Sequence, residues 1–123
     1  MITIKFKGQQ LSNGDWIVGD LIHLVDGVYI SNDNGNNMAQ VNPDTVCQFT
    51  GFLDKNGKDI YEGDILKVAG LWKKIEVRFV RGGFAFLWNG DLDDEAAINA
   101  PTQKWAEVVG NIHDPELKSK LNL

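Results

Sequence analysis

Asp91, Asp93, Asp94 and Glu95 place four carboxylates in one short run, the densest group in the chain that could hold a hard cation. A calcium loop of the helix–loop–helix kind draws ligands from alternating positions and needs glycine at its sixth place for the sharp turn. Neither residues 54 onward nor residues 91 onward supply both, so the run 91–95 reads as a solvated acidic loop that keeps a strand edge from pairing with another molecule. A transition-metal centre of three or four N and S ligands would have to use His23, His113 and Cys47 together, and these are all the histidines and cysteines present. A nucleophile could be assembled on paper from Cys47 with His23, or from Ser12 or Thr50 with a carboxylate, but no strand–turn–helix elbow surrounds any of them. The Gly-rich turns each open a strand, whereas a phosphate cradle opens a helix. The expectation is no catalytic residue, no metal site and no cofactor.

The most patterned stretch is FTGFLDKNGKDIYEGD, residues 49 to 64. Asp54 can hydrogen-bond its own backbone ahead, and Asn56-Gly57 tolerates the positive φ that a hairpin loop demands, so the chain is expected to reverse there. Glu62-Gly63-Asp64 makes a second sharp turn before Ile65 and Leu66. Asp54, Asn56, Gly57, Glu62, Gly63 and Asp64 therefore form a structural turn motif rather than a reacting one.

Charge narrows the partners. With 12 basic and 17 acidic residues the formal net charge is −5. Binding to phosphate backbones is driven by counterion release and wants a basic protein, so bulk nucleic-acid binding is disfavoured. Lys73, Lys74, Arg78 and Arg81 form a local basic patch, interrupted by Glu76, whose bland reading is a solvated strand face of mixed charge. Trp16, Trp72, Trp88 and Trp105, with Phe79, Phe84, Phe86, Tyr29 and Tyr61, could offer stacking faces for single-stranded nucleic acid. A domain this small needs at least half of those rings for its core.

The elements that must position these residues are strands. At 123 residues the chain has the length of one domain, and 43% hydrophobic with 24% charged residues is a globular balance. A single cysteine permits no internal disulfide, which suits a reducing cytoplasm. No run of 18 apolar residues exists and the N-terminal ten residues lack the apolar stretch of a signal peptide, so no membrane span is expected. Alternation in ITIKFK (2 to 7) puts Ile2, Ile4 and Phe6 on one face of a first strand. Residues 16 to 30 form a hairpin turning at Asp26-Gly27, and SNDNGNNMAQ (31 to 40) reads as an exposed, slack loop. Asn42-Pro43-Asp44 is a turn, and strands follow in TVCQFTGF, IEVRF, FAFLW and residues 105 to 112. Residues 89 to 103 read as a loop with room for one helical turn. Asp114-Pro115-Glu116 is a helix start, with Leu117 and Leu121 four apart for docking, so residues 114–121 are a short terminal helix.

The stretches VNPDTV (41 to 46), QFTG (48 to 51), DKNGK (54 to 58), IYEGDI (60 to 65), VVGNI (108 to 112) and DPEL (114 to 117) resemble the YopX-like family of phage and prophage proteins. The resemblance covers residues 41 to 65 and 107 to the end, and GDWIVGDLI (14 to 22) matches less sharply. It implies an all-β fold of bent, coiled antiparallel sheets and a role in phage biology inside a bacterial host cell, and it carries over no catalytic, metal or cofactor residue. The reading is thus one barrel-like all-β domain over residues 1–123, of seven to nine short strands. It divides into an N-terminal β region (1–40), the signature β region (41–113) and the helical turn (114–121). The function expected is a non-enzymatic accessory protein of the cytoplasm that binds a host or phage protein as a homo-oligomer. The alternatives are a nucleic-acid-interacting regulator using Lys73, Lys74, Arg78 and Arg81, and an enzyme of unknown class.

Overall fold

A computed structural model describes residues 3–68, 74–80, 82–88, 95–97 and 106–114. Among them are eleven strands: β1 (Phe6–Gln9), β2 (Trp16–Leu24), β3 (Gly27–Ser31), β4 (Ala39–Val41), β5 (Cys47–Leu53), β6 (Asp59–Tyr61), β7 (Asp64–Val68), β8 (Lys74–Val80), β9 (Gly83–Trp88), β10 (Glu95–Ala97) and β11 (Ala106–Asn111). All described pairings are antiparallel. The fold is all-β, as expected, with more strands than the seven to nine anticipated. The chain divides into two compact units, Met1–Gly51 and Phe52–Leu123, and β5 runs across the division.

In the N-terminal unit the strand order is β4-β3-β2-β1-β5. The long β2 serves two neighbours in turn: Trp16 to Gly19 pair with β1, and Asp20 to Leu24 pair with β3. At the changeover, a Cβ on Gly19 would collide with the Ser31 carbonyl, so the absent side chain admits the close backbone approach. The sheet then coils until its edge meets its own start. Gln10 bridges Val41, Leu11 N–H donates to the Gln40 carbonyl (3.0 Å), and Asn42 N–H donates to the Gln9 carbonyl (2.9 Å). That contact is one isolated bridge, so the sheet is bent and coiled without closing into a barrel. Ile30, Val41 and Cys47 are fully buried here.

Several local expectations are corrected. β1 starts at Phe6 and Ile4 is 64% exposed, because the ladder to β2 ends at the pair Phe6–Gly19; alternation reports a face but not the length of the partner strand. The β2–β3 turn falls on Val25-Asp26, since Leu24 pairs with Gly27, one residue earlier than Asp26-Gly27. The Asn-rich stretch is not slack: the Asp33 carboxylate accepts from Asn37 N–H (2.8 Å), Asn37 Nδ2 (2.8 Å) and the Ser31 hydroxyl (2.9 Å). Those bonds hold the Asp33 carboxyl below its usual range despite a small opposing cost of burial. Asn42-Pro43-Asp44 does make the expected turn, a 3-10 segment Pro43–Thr45 in which Asn42 Oδ1 caps Asp44 N–H (3.0 Å).

In the second unit β6 pairs with the end of β5, and a five-stranded sheet runs β10-β9-β8-β7-β11. Its core joins Ile60, Leu66, Ile75, Val77, Ala106 and Val108, with Phe52 packed on them. Each large aliphatic side chain buried here contributes about 2 kcal/mol. β10 lies where a loop was expected: Glu95 to Ala97 pair with Leu87 to Ala85, and the ladder to β9 outweighs the weak strand preference of alanine. The expected helix falls, beyond Asp114, outside the described residues.

Candidate functional site

The hairpin between β5 and β6 is built around one carboxylate. Asp54 N–H donates to the Lys58 carbonyl (2.8 Å) and Gly57 N–H to the Asp54 carbonyl (3.0 Å), which closes the loop. Gly57 has a φ of 80°, the positive φ expected of the Asn56-Gly57 turn, while Asn56 keeps a negative φ. The Asp54 side chain is buried at 6% exposure. Its Oδ1 accepts from Asn56 N–H (2.8 Å) and Lys58 N–H (2.9 Å), as its position ahead of the turn predicts. Its Oδ2 accepts from Val108 N–H (3.0 Å), 54 residues away on β11. Lys55 N–H donates to the Ala106 carbonyl beside it (3.0 Å). β11 has β7 on one side, and on the other the hairpin occupies its donor at Val108 and its acceptor at Ala106. A side of β11 that could template pairing with another chain is thereby covered. Burial alone would raise the Asp54 pKa, but the N–H groups of Val108, Lys58 and Asn56, with the Lys58 charge, outweigh it and hold the carboxyl below its ordinary value.

The second turn repeats the device. Asp64, fully buried, accepts from Tyr61 N–H through Oδ2 (2.8 Å) and from Asn111 Nδ2 through Oδ1 (2.9 Å). Asn111 is equally buried; its Nδ2 also reaches the Glu62 carbonyl (3.4 Å), and its Oδ1 accepts from His113 N–H (3.0 Å). Asp114 Oδ2 in turn accepts from Asn111 N–H (2.9 Å). Gly63, with a φ of 84°, links three segments: its N–H donates to the Val77 carbonyl (2.6 Å) and its carbonyl accepts from Ile112 N–H (2.9 Å). Burial, with the nearby charges of Asp59 and Asp64, pushes the Tyr61 phenol far above its usual range.

The structure therefore brings Asp54, Asn56 and Gly57 into one hairpin, and Glu62, Gly63 and Asp64 into a second turn. Both are tied to β11. Asp54 serves three backbone N–H groups and Asp64 a separate pair, one backbone N–H and the Asn111 side-chain amide, and Glu62 contributes its main-chain carbonyl. Among the described residues no three of His, Cys, Asp and Glu gather as a metal group. His23 is exposed on β2, and the buried Cys47 donates its thiol to the Thr45 carbonyl (3.2 Å). Within the basic patch Arg78 is ion-paired with Glu76, whose hydrogen bond and charge raise the guanidinium pKa further. Lys74 lies on β8 opposite Lys67. Lys73 and Arg81 lie outside the described residues, as do Trp72, Trp105 and Asp91 to Asp94.

Sequence reasoning missed the partners on β11, Val108 and Asn111, and a pair of cation–ring contacts. Lys5 Nζ lies 4.7 Å from the Phe49 ring centre and Lys7 Nζ 4.6 Å from that of Trp16. The alternation of Lys5 and Lys7 marked a polar face, but the aromatic neighbours follow only from register. Asn111 carried a signal of another kind, since an Asn inside an otherwise apolar strand must be satisfied by a partner.

A chain of short antiparallel strands whose acidic turn residues grip backbone N–H groups, rather than facing a cleft, is an all-β protein with a structural signature. The family model for YopX protein matches residues 4–117. The chain belongs to the YopX family. No curated protein matches it. Among the described residues no helix is long and apolar enough to cross a membrane.

Proposed function

We propose that the protein is a non-enzymatic protein-binding module, a phage or prophage accessory protein that acts inside the bacterial cell as a homo-oligomer. The observation that carries this reading is the use made of the signature's polar side chains. Asp54, Asp64 and Asn111 are buried and committed to the protein's own donors, so they are poorly placed to meet a substrate. Some large apolar side chains face outward instead. Phe79 on β8 is 50% exposed and stands edge-on to Phe84 on β9, with ring centres 5.1 Å apart and planes at 78°. Rigid aromatic surface of this kind suits a protein partner. The phage setting rests on the family resemblance.

The test is affinity capture from host cells with the wild-type chain and with Phe79→Asp, alongside sedimentation of both across a concentration series. Partner retention by wild type and loss by the variant, with concentration-dependent assembly, is the expected result. Turnover found in an unbiased substrate panel and abolished by one point change would overturn the reading.

A second reading, a nucleic-acid-interacting regulator, draws on Lys7 stacked over Trp16 and Lys5 over Phe49. It is weakened by the pairing of Arg78 with Glu76 and by the net charge of −5. Salt-dependent DNA binding decides it, and no binding at low ionic strength discards it.

A further inference from the structure

Three fully described Asn-Gly pairs lie on exposed turns: Asn13-Gly14, Asn34-Gly35 and Asn56-Gly57. We propose that Asn34 is a site of spontaneous covalent modification, converting to aspartate and isoaspartate ahead of Asn13 and Asn56. In this reaction the backbone nitrogen of the following residue attacks the asparagine Cγ. The new C–N bond closes a five-membered imide, the side-chain amide leaves as ammonia, and the proton of the attacking N–H goes with it. Water then opens the ring at either carbonyl, giving aspartate or its isomer with one extra methylene in the main chain. No oxidant or cofactor is needed, and glycine in second place leaves the nucleophile unobstructed.

The three sites differ in what restrains the two reacting groups. Gly14 N–H is held by the Gln10 carbonyl (2.8 Å), and Asn13 Oδ1 is itself engaged by Asp15 N–H (2.9 Å). Gly57 N–H is held by the Asp54 carbonyl (3.0 Å) inside the hairpin that the buried Asp54 locks to β11. In both, a backbone carbonyl within a closed turn fixes the nucleophile. Gly35 N–H is held instead by a side-chain oxygen, the Ser31 hydroxyl (2.8 Å), which must also serve the Asp33 carboxylate (2.9 Å). That acceptor is a side chain, which one substitution removes, whereas the other two are main-chain carbonyls of the turn itself. Asn34 is exposed and holds a φ of 61°, the one non-glycine residue in the left-handed region among those described. Its backbone is therefore in a conformation it gains by leaving. Asn34 thus combines a nucleophile held only through a side chain with a left-handed ground state that Asn13 and Asn56 do not share. Conversion would set a second carboxylate beside Asp33 and take the formal net charge from −5 to −6.

The test is incubation of the folded full chain in mildly alkaline buffer with peptide mass mapping over time, and isoelectric focusing for the added charge. Asn34 is expected to convert about fivefold or more ahead of Asn13 and Asn56, the factor that relief of about 1 kcal/mol of left-handed backbone strain corresponds to. Ser31→Ala, which frees the Gly35 N–H, is expected to widen that lead, and Asn34→Gly, which suits a positive φ, to abolish the early charge shift. Equal rates at the three sites, an earlier conversion at Asn13 or Asn56, or no conversion at Asn34 while the urea-unfolded chain converts would each overturn the proposal. The rank order is read in the unmodified chain, so it stands even if Ser31→Ala, at a buried position, fails to fold.

Discussion

Substituting Asp54 by asparagine keeps the side chain's shape and exchanges one carboxylate oxygen for an amide NH2. Asn56 and Lys58 share Oδ1, so the remaining oxygen can still serve the turn. The amide nitrogen then faces Val108 N–H, donor against donor, at a buried contact. Losing one charge-assisted hydrogen bond and stranding a buried donor costs about 2–3 kcal/mol. Asp54→Ala also gives up the two turn bonds, but Asn56 and Lys58 are exposed and their N–H groups return to water, so the total rises only to about 3–4 kcal/mol. Urea unfolding followed by circular dichroism gives the ranking. Hydrogen exchange at the Val108 amide localises the loss, which matters in a chain of two compact units. The folded carboxyl titrates below its ordinary value of 3.8 and the unfolded one returns to it, so protons bind the unfolded chain more readily. Its stabilisation is therefore full above 3.8 and is lost as pH falls through the lower folded value. The variant amide does not titrate, so its deficit is expected to shrink in acid. A deficit within about 0.5 kcal/mol of wild type at neutral pH, or one that grows toward low pH, would refute the clamp.

Other substitutions follow from the same geometry. Gly57→Val and Gly63→Val both force a branched residue to positive φ; the first meets open space and costs about 1 kcal/mol, while the second also presses on Asn111 Nδ2 (3.2 Å) and Ile112 Cγ1 (3.3 Å) and costs about 2 kcal/mol or more. Equal denaturation midpoints for the two would contradict this ordering. Asn111→Leu removes the amide bonded to buried Asp64 and is expected to cost about 2–4 kcal/mol in urea unfolding; a neutral result would mean water replaces it. Asn111→Asp sets two carboxylates together, so that variant is expected to gain stability as pH is lowered, opposite to Asp54; a pH profile parallel to wild type would rule this out. Gly19→Ala drives a methyl group into the Ser31 carbonyl and is expected to lower the melting temperature by an amount equivalent to about 2 kcal/mol, a loss that unchanged melting would exclude.

What could be read from the residues was whatever neighbours in sequence decide. Alternation marked β8 and β9, and Asp54 with Gly57 marked a reversing chain, because a side chain bonding its own turn and a residue needing positive φ act within five positions. The same logic failed at Glu95 to Ala97, where strand character comes from β9 and not from the residues themselves. Long-range partners were beyond it in principle: Asp54 reaches Val108 and Asp64 reaches Asn111 across 54 and 47 residues, and nothing within either segment specifies the other's register. Yet the two segments that resemble the family most sharply are those that meet. The acids of 54–64 need donors buried with them, and VVGNI supplies one from its backbone at Val108 and one from its side chain at Asn111. A change in either segment leaves a polar group of the other stranded in the interior, at about 1–3 kcal/mol for each stranded group. The acids and their donors are therefore constrained as pairs by folding stability, with no need to invoke a reaction.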